Sequence, residues 1–438
     1  MSSNTDQTNF CAKLAPLYEP ALVKLYGNDP NTLQASKERY QDLCQGYTAT
    51  FDLANLQNDS FYFFSTPGRS EIMGNHTDHQ HGRVICSAIS LDIIALVKPI
   101  SEPVIRLKSK DYNKVDEIDL NDLNVHADEI GHSAALIRGV CAKLKELGYK
   151  VGGFECYTSA NVPSGSGLSS SAAFEVMIIS IIDKLYNNNV INPLLRAQIA
   201  QYAENVYFDK PCGLMDQCGC SFGGMIKIDF ANSKDVNVEQ FKNPFANSDY
   251  HLVISKAGGS HADLTNDYAD IPAEMRSVSH CFGKNVLREV AEADFWRRLS
   301  QLRNQVNDRA LLRSIHFFSE QERVEHAGQC LAKNDIAEFL KLVQASGQSS
   351  WQLLQNIYSN QNPLEQPISI ALAVSAHILN GQGAYRVHGG GFAGTIQAYV
   401  PANLLAEYKQ TIDAVCGANS VLDLQIRPYG AVCLEDII

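Results

Sequence analysis

Residues Phe154-Glu-Cys-Tyr-Thr-Ser-Ala-Asn-Val-Pro-Ser-Gly-Ser-Gly-Leu-Ser-Ser-Ser-Ala172 change character twice. The first five, Phe154 to Thr158, read as a strand, and the apolar run from Ala172 to Tyr186 reads as a helix. Between them lies Gly165-Ser-Gly-Leu-Ser-Ser-Ser171. Glycines allow close backbone approach to a ligand, and the first N–H groups of a helix lack internal partners, so the junction suits an anion such as phosphate. No Gly-Lys-Ser/Thr follows, which excludes a Walker A loop, and the dinucleotide fingerprint is not met. The segment alone leaves a plain serine-capped loop open.

Working outward, the chain reads as helix from Thr8 to about Leu53, then as a short strand, Phe61 to Ser65, ended by a sharp turn at Pro67-Gly68. Short β-branched runs recur at Val84, Ile93 and Val104. Helical spacing covers Ala134 to Leu147 and Arg196 to Tyr207, a strand is expected at Gly224 to Asp229, and helices alternate from Glu274 to about Ser346. Strands return on either side of Gly389-Gly-Gly-Phe-Ala-Gly394. Strands and helices without regular βα alternation predict an α+β fold, with mixed sheets, in two domains of residues 1–225 and 226–438. Trp296 and Trp351 are expected as core or domain-interface anchors.

The 438 residues carry a formal charge of −12, which argues against a nucleic-acid or anionic-membrane surface. The start of the chain has no basic, signal-like region and no apolar run is long enough to span a bilayer, so a cytoplasmic protein is expected. The twelve cysteines are scattered without a C-x-x-C pair and are expected as buried free thiols.

Three segments, Pro67-Gly-Arg-Ser-Glu-Ile-Met-Gly-Asn-His-Thr-Asp78, Pro163-Ser-Gly-Ser-Gly-Leu-Ser-Ser-Ser-Ala172 and Gly389-Gly-Gly-Phe-Ala-Gly394, together resemble the three motifs of the GHMP small-molecule kinases. Gly-Arg followed by His-Thr-Asp, then Pro211-Cys-Gly-Leu-Met-Asp-Gln217, narrows the resemblance to the galactokinase family. It runs from about residue 60 to residue 400 in the family's order. It implies a two-domain GHMP-kinase fold with the active site in the inter-domain cleft. It also implies ATP as co-substrate, Mg²⁺, a galactose-like sugar as acceptor, and a monomer or weak oligomer.

Carried over by position, Asp216 and Arg69 match the catalytic pair. Ser171 and Glu204 match the magnesium ligands. Asn75, His76, Thr77, Asp78, Glu71, Gly213 and Tyr268 fall on the sugar-binding positions. Gly165, Ser166, Gly167, Leu168, Ser169, Ser170 and Ser171 match the nucleotide-phosphate loop, with Ser109 as a further ATP contact. The residue types suit phosphoryl transfer, which needs an aligned nucleophile and counter-charge more than covalent help. A carboxylate such as Asp216 can accept the proton of an anomeric hydroxyl, and a guanidinium such as Arg69 can keep it ionised.

Galactokinases usually show Gly-Arg-x-Asn-x-x-Gly-Glu-His-x-Asp-Tyr, and this chain has Glu71, Asn75 and His79 at three of those places. Either the two polar residues have traded places across a helical turn, so that Glu71 supplies the sugar-facing carboxylate, or the substrate is a galactose modified at C6, such as galacturonate. His76-Thr-Asp-His-Gln80 also resembles kinases of galacturonic acid. The cluster of His76, His79 and His81 admits a zinc reading, and a sugar edge lined by polar rings explains it more simply. A further alternative is a non-catalytic sugar sensor of the same family. Such sensors have a shortened serine-alanine segment, whereas Ser169-Ser-Ser-Ala172 is intact here.

Overall fold

The computed structural model describes residues 18–51, 60–163, 167–232, 236–241, 245, 248–259 and 264–438. Two helices, α1 (Glu19–Tyr26) and α2 (Pro30–Thr50), precede the strands β1 (Tyr62–Met73), β2 (Arg83–Pro99), β3 (Val104–Ser109) and β4 (Val115–Asp119). Then come α3 (Ser133–Glu146), β5 (Phe154–Ala160), α4 (Ser170–Asn187), α5 (Pro193–Val206), α6 (Met215–Phe222), β6 (Met225–Asp229), β7 (Asn237–Phe241) and β8 (Tyr250–Gly258). Four helices follow, α7 (Thr265–His280), α8 (Glu292–Leu302), α9 (Asp308–Lys333) and α10 (Ile336–Ser349), and then α11 (Pro367–Leu379). The chain closes with β9 (Ala384–His388), β10 (Gly394–Pro401), α12 (Leu405–Cys416), β11 (Val421–Leu424) and β12 (Val432–Cys433).

Several helix starts are set by local sequence. Asp29, Asn192 and Asn307 accept from the N–H groups of Thr32 at 2.9 Å, Leu195 at 2.9 Å and Ala310 at 2.7 Å. Each such cap contributes about 1 kcal/mol. Pro30 and Pro193 stand at the first helical position, where their fixed φ suits the helix and no N–H is missed.

The first sheet has the order β12-β1-β2-β5-β3-β4, with β6 pairing to β2 and β7 to β6. All pairs are antiparallel except β3 with β5. The runs at Val84 and Ile93, expected as separate strands, are one strand, β2, pairing β6 along its first part and β5 along its second. Ile93, Ala95 and Val97 enter the main core with residues of α3, α4 and α5, while Ile94 and Leu96 pack with residues of α1 and α2. A strand covered on both faces is apolar throughout and shows no alternation.

The turn expected at Pro67-Gly68 is instead a register slip inside β1, between Pro67 and Arg69. Gly68 is required there by close approach: a Cβ on it would lie 2.7 Å from the Leu168 carbonyl oxygen. The bulge therefore seats β1 directly against the loop that precedes α4.

The second sheet, β11-β8-β10-β9, is antiparallel throughout. Val253, Ala398 and Val400 on one face pack with Ile378 and Leu379 of α11 and with Tyr408 and Ile412 of α12. Leu252, Ile254 and Tyr399 on the other join Phe339, Leu340 and Val343 of α10 in the main core, which also takes residues of the first sheet. The α+β class holds. The boundary expected at residue 225 does not follow the sheets, because the first sheet continues through β6 and β7 and takes back β12, where Phe64 pairs with Cys433.

Trp296 and Trp351 are not buried anchors: they are 46% and 40% exposed. Phe295, one residue earlier on α8, is the side chain that turns inward, and Trp296 donates to Glu292 Oε1 at 3.0 Å. The described cysteines are free thiols, most of them buried. No described helix is long and apolar enough to cross a membrane.

Candidate active site

Arg69 follows the bulge of β1, and Asp216 stands in the first turn of α6. Arg69 donates through Nε to Asp216 Oδ1 at 2.9 Å, and Nη2 of the same guanidinium lies 2.6 Å from that oxygen. The remaining nitrogen, Nη1, donates to the Gly167 carbonyl, and the Arg69 backbone N–H donates to the Leu168 carbonyl at 3.1 Å. Ser169 Oγ donates to Asp216 Oδ2. Burial pushes the Asp216 carboxyl up, but the Arg69 charge, the hydrogen bonds from Ser169 and Arg69, and the Lys210 charge outweigh it and hold the group below the ordinary carboxylate range. The Asp216 side chain stays 35% exposed, against 8% for Arg69. An ionised carboxylate is thus held rigidly with one side open.

Glu204 of α5 lies on the other side of the α4 N-terminus. It accepts from Ser171 Oγ at 3.2 Å and Lys210 Nζ at 2.6 Å on Oε1, and from Gln217 Nε2 at 2.7 Å on Oε2. Ser171 and Glu204 offer the hard oxygen donors that Mg²⁺ prefers, and a pair of protein ligands leaves room for the waters and phosphate oxygens it keeps. The Lys210 contact shows that the fold already supplies Glu204 with positive charge. Gln217 also approaches Glu175 Oε2 at 3.5 Å; burial first, and the Glu204 charge second, push the Glu175 carboxyl well up. Gly165 and Ser166 lie outside the described residues. Ser109, at the end of β3, accepts from Thr158 Oγ1 at 2.9 Å across the parallel β3/β5 pair.

The segment from Glu71 to Asp78 divides into residues that face inward and residues that do not. Glu71 is ion-paired to Arg386 at 2.9 Å and accepts from Asn75 Nδ2 at 2.9 Å. Asn75 also donates to the Gly389 carbonyl at 2.7 Å, and its Oδ1 accepts from Asn356 at 2.7 Å. Thr77 donates to the carbonyls of Gly74 and Arg83, both at 2.9 Å. Asn75 and Thr77 are fully buried and Glu71 nearly so. Glu71 and Asn75 are held by each other, by Arg386 and by Asn356, and Thr77 is held by the backbone of its own turn. The turn is not helical, since Glu71 is still in β1.

His76, Asp78, Gly213 and Tyr268 form the other group. Asp78 fills the space where Gly213 lacks a side chain, since a Cβ there would lie 2.5 Å from its Oδ2. Burial pushes the Asp78 carboxyl up, against the favourable His76 charge. His76 Nε2 donates to the Gly390 carbonyl at 2.9 Å, and Tyr268 Oη donates to the Gly391 carbonyl at 3.0 Å. The third glycine segment is therefore the meeting point of the two histidine- and tyrosine-bearing elements. Gly391, at φ 83°, is pressed against Asn356: a Cβ would lie 2.1 Å from that carbonyl oxygen. The zinc reading lacks support in the contacts, since His76 is bonded to Gly390 and His79 to Gln80 at 3.3 Å.

A model of the GHMP kinases N-terminal domain matches residues 135–224, and a model of the galactokinase galactose-binding signature matches residues 51–99. The galactokinase of Pyrococcus furiosus is 29% identical over 341 residues, 76% of this chain and 88% of that one. That of Lactobacillus helveticus is 28% identical over 380 residues, 86% and 93% of the two chains. Over most of its length the chain is similar to galactokinases, and both matched models describe GHMP-kinase or galactokinase segments. Its fold is similar to that of Lactococcus lactis galactokinase complexed with galactose, with a TM-score of 0.73 at 22% identity, covering 91% of this chain and 99% of that one. A mevalonate kinase matches at a TM-score of 0.59 and 17% identity, over 83% and 98% of the chains. The two regions matched by these models are those that carry Arg69 and Asp216, brought together by β1 and α6.

Sequence reasoning missed the residues by which the second half of the chain grips the first motif. His316 Nε2 donates to the Asn75 carbonyl at 3.0 Å, and Glu320 accepts from the Gly74 N–H at 3.0 Å. Both come from α9, and neither lies in a segment with a recognisable pattern. Lys210 borders Pro211-Cys-Gly213 and was legible only as a lysine beside a motif.

Proposed function

We propose that the protein transfers the γ-phosphoryl group of ATP to the anomeric hydroxyl of galactose, giving galactose 1-phosphate and ADP. The observation that carries this is the closed set of contacts among Arg69, Asp216 and the loop from Gly167 to Ser169. The anomeric oxygen attacks the γ-phosphorus, the bond to the β-phosphate oxygen breaks, and the hydroxyl proton passes to Asp216. Arg69 keeps Asp216 ionised and faces the loop with positive charge. The N–H groups at the start of α4 suit the phosphates. Mg²⁺, held by Ser171 and Glu204, would offset phosphate charge. His76, Asp78, Gly213 and Tyr268 are the residues we assign to the sugar. Ser109 and the loop around Gly167 are assigned to the nucleotide.

Two units support this site in our reading: one built on the first sheet, residues 18–241 with 426–437, and one built on the second, residues 250–424. A cytosolic setting, with ATP and Mg²⁺ at hand, fits the activity.

One observation favours a second reading, a C6-modified acceptor. Glu71 and Asn75 are both committed to internal contacts, so neither is placed as the family's usual acceptor for a C6 hydroxyl. Purified protein should be assayed for ADP release with galactose and with galacturonate in the presence of Mg·ATP, and the product located by ³¹P NMR. Turnover of galactose to the 1-phosphate is the expected result. Turnover of galacturonate alone would select the second reading.

A further inference from the structure

The serines at the start of α4 have different neighbours. Ser171 turns to Glu204, and Ser169 turns to Asp216. Ser169 is the cap residue of α4, a position where serine ordinarily accepts from an N–H of the first turn. Here it makes no such bond and adopts φ 62°, ψ 56°. That is the left-handed region, which side chains other than glycine adopt at a cost and which tends to persist where the surroundings impose it. The effect is to carry the hydroxyl away from the helix axis and onto α6. The backbone donors of the helix start stay clear for an anion.

A carboxylate offers about four acceptor directions. Asp216 Oδ1 takes two nitrogens of Arg69, and Oδ2 takes Ser169 Oγ. One direction is left, on Oδ2, and the side chain is exposed enough for a ligand to reach it. The charged groups around it are Arg69 from β1, Lys210 after α5, Asp78 from the turn after β1 and Glu175 from α4. Of these, Arg69 is the one that donates to Asp216 among the described residues.

We propose that Ser169 is a positioning residue for phosphoryl transfer: its hydroxyl fixes the Asp216 carboxylate so that a single Oδ2 lone pair faces the acceptor hydroxyl. This goes beyond membership of a phosphate loop and rests on the sugar-kinase reading above. It gives the serine's side chain to the proton acceptor and leaves its backbone to the nucleotide.

Ser169→Gly is a clean test, because glycine accepts φ 62° without strain and only the hydroxymethyl group is lost. With Mg·ATP and galactose, kcat should fall about 10- to 100-fold. KM for either substrate should change less than about threefold, the pattern of a lost transition-state arrangement. Asp216, followed by ¹³C NMR of labelled aspartate carboxyls, should titrate about one pH unit higher, since the lost donor favoured the charged form. An unchanged kcat overturns the proposal, as does a rise in the KM for ATP with kcat intact, which would mark the hydroxyl as a nucleotide contact. Ser169→Ala removes the same hydroxyl and serves if the glycine protein fails to fold. If the parent protein turns over neither galactose nor galacturonate, the sugar-kinase reading fails on its own, and the Asp216 titration still decides the role of Ser169.

Discussion

Gly213 has no side chain where Asp78 needs room, and substitution there tests the acceptor site with little disturbance elsewhere. In Gly213→Ala the new methyl would lie 2.5 Å from Asp78 Oδ2, the far end of a side chain that can rotate away. Stability should change little, while KM for the sugar should rise about tenfold, the effect of one lost hydrogen bond to a charged group. Asp216→Ala removes the proposed proton acceptor and the partner of Arg69. Its kcat should drop about 10³-fold in a coupled ADP-release assay, with thermal unfolding recorded beside it. A rate equal to the parent's would dismiss Asp216 from catalysis. At this scale the sequence was most readable where a motif fixes chemistry: Arg69 and Asp216 were named from pattern and meet in space. It was least readable where burial decides. Asn75 sits in a sugar motif by position, yet its amide is consumed by Glu71, Gly389 and Asn356. No spacing rule distinguishes an amide that faces a ligand from one that faces a neighbouring turn.

Helix α9 is the element that holds the first motif in place, and its histidine makes that hold sensitive to acid. Burial keeps His316 neutral, with its pKa pushed down from 6.5 to about 4. A histidine depressed in the folded state binds its proton more readily when unfolded. Its contribution is therefore complete above pH 6.5 and is lost as pH falls toward 4, in total about 3 kcal/mol. Denaturant unfolding at pH 7 and pH 5 should show this slope, and His316→Gln should flatten it. A second contact belongs to β9: Arg386 is the ion-pair partner of Glu71, and both are buried. Arg386→Ala would leave a buried carboxylate uncompensated, a loss of about 3–5 kcal/mol measurable by the same unfolding. Element boundaries were largely legible, because caps and apolar periods are local. The bulge in β1 and the continuity of β2 were not, since both depend on what covers each face of the sheet.

Across the whole molecule, the N-terminal helices, the first sheet and the segment between β11 and β12 meet at one buried aspartate. Asp92 is paired with Arg39 of α2 and with Arg427, the latter at 3.1 Å, and accepts from Tyr26 Oη at 2.5 Å. Its backbone N–H donates to Asn161 Oδ1 at 2.6 Å, at the end of β5 and just ahead of the phosphate loop. Nothing in the sequence announces this cluster, whose members lie 53 to 335 residues from Asp92 along the chain. Arg427→Met should lower stability by about 3 kcal/mol through the stranded charge. If Tm is unchanged, Asp92 is adequately neutralised by Arg39 alone.

The pairing of β12 with β1 has a consequence for biogenesis. Domains ordinarily acquire their structure in the order in which the ribosome makes them. In this chain the first sheet stays open along one edge until the segment around residue 430 has emerged, after everything that builds the second sheet. A nascent chain stalled before Arg427 would carry Arg69 and Asp216 yet lack the strand and the cation that close the unit bearing them. Such a fragment would present an unpaired β1 edge to chaperones and proteases.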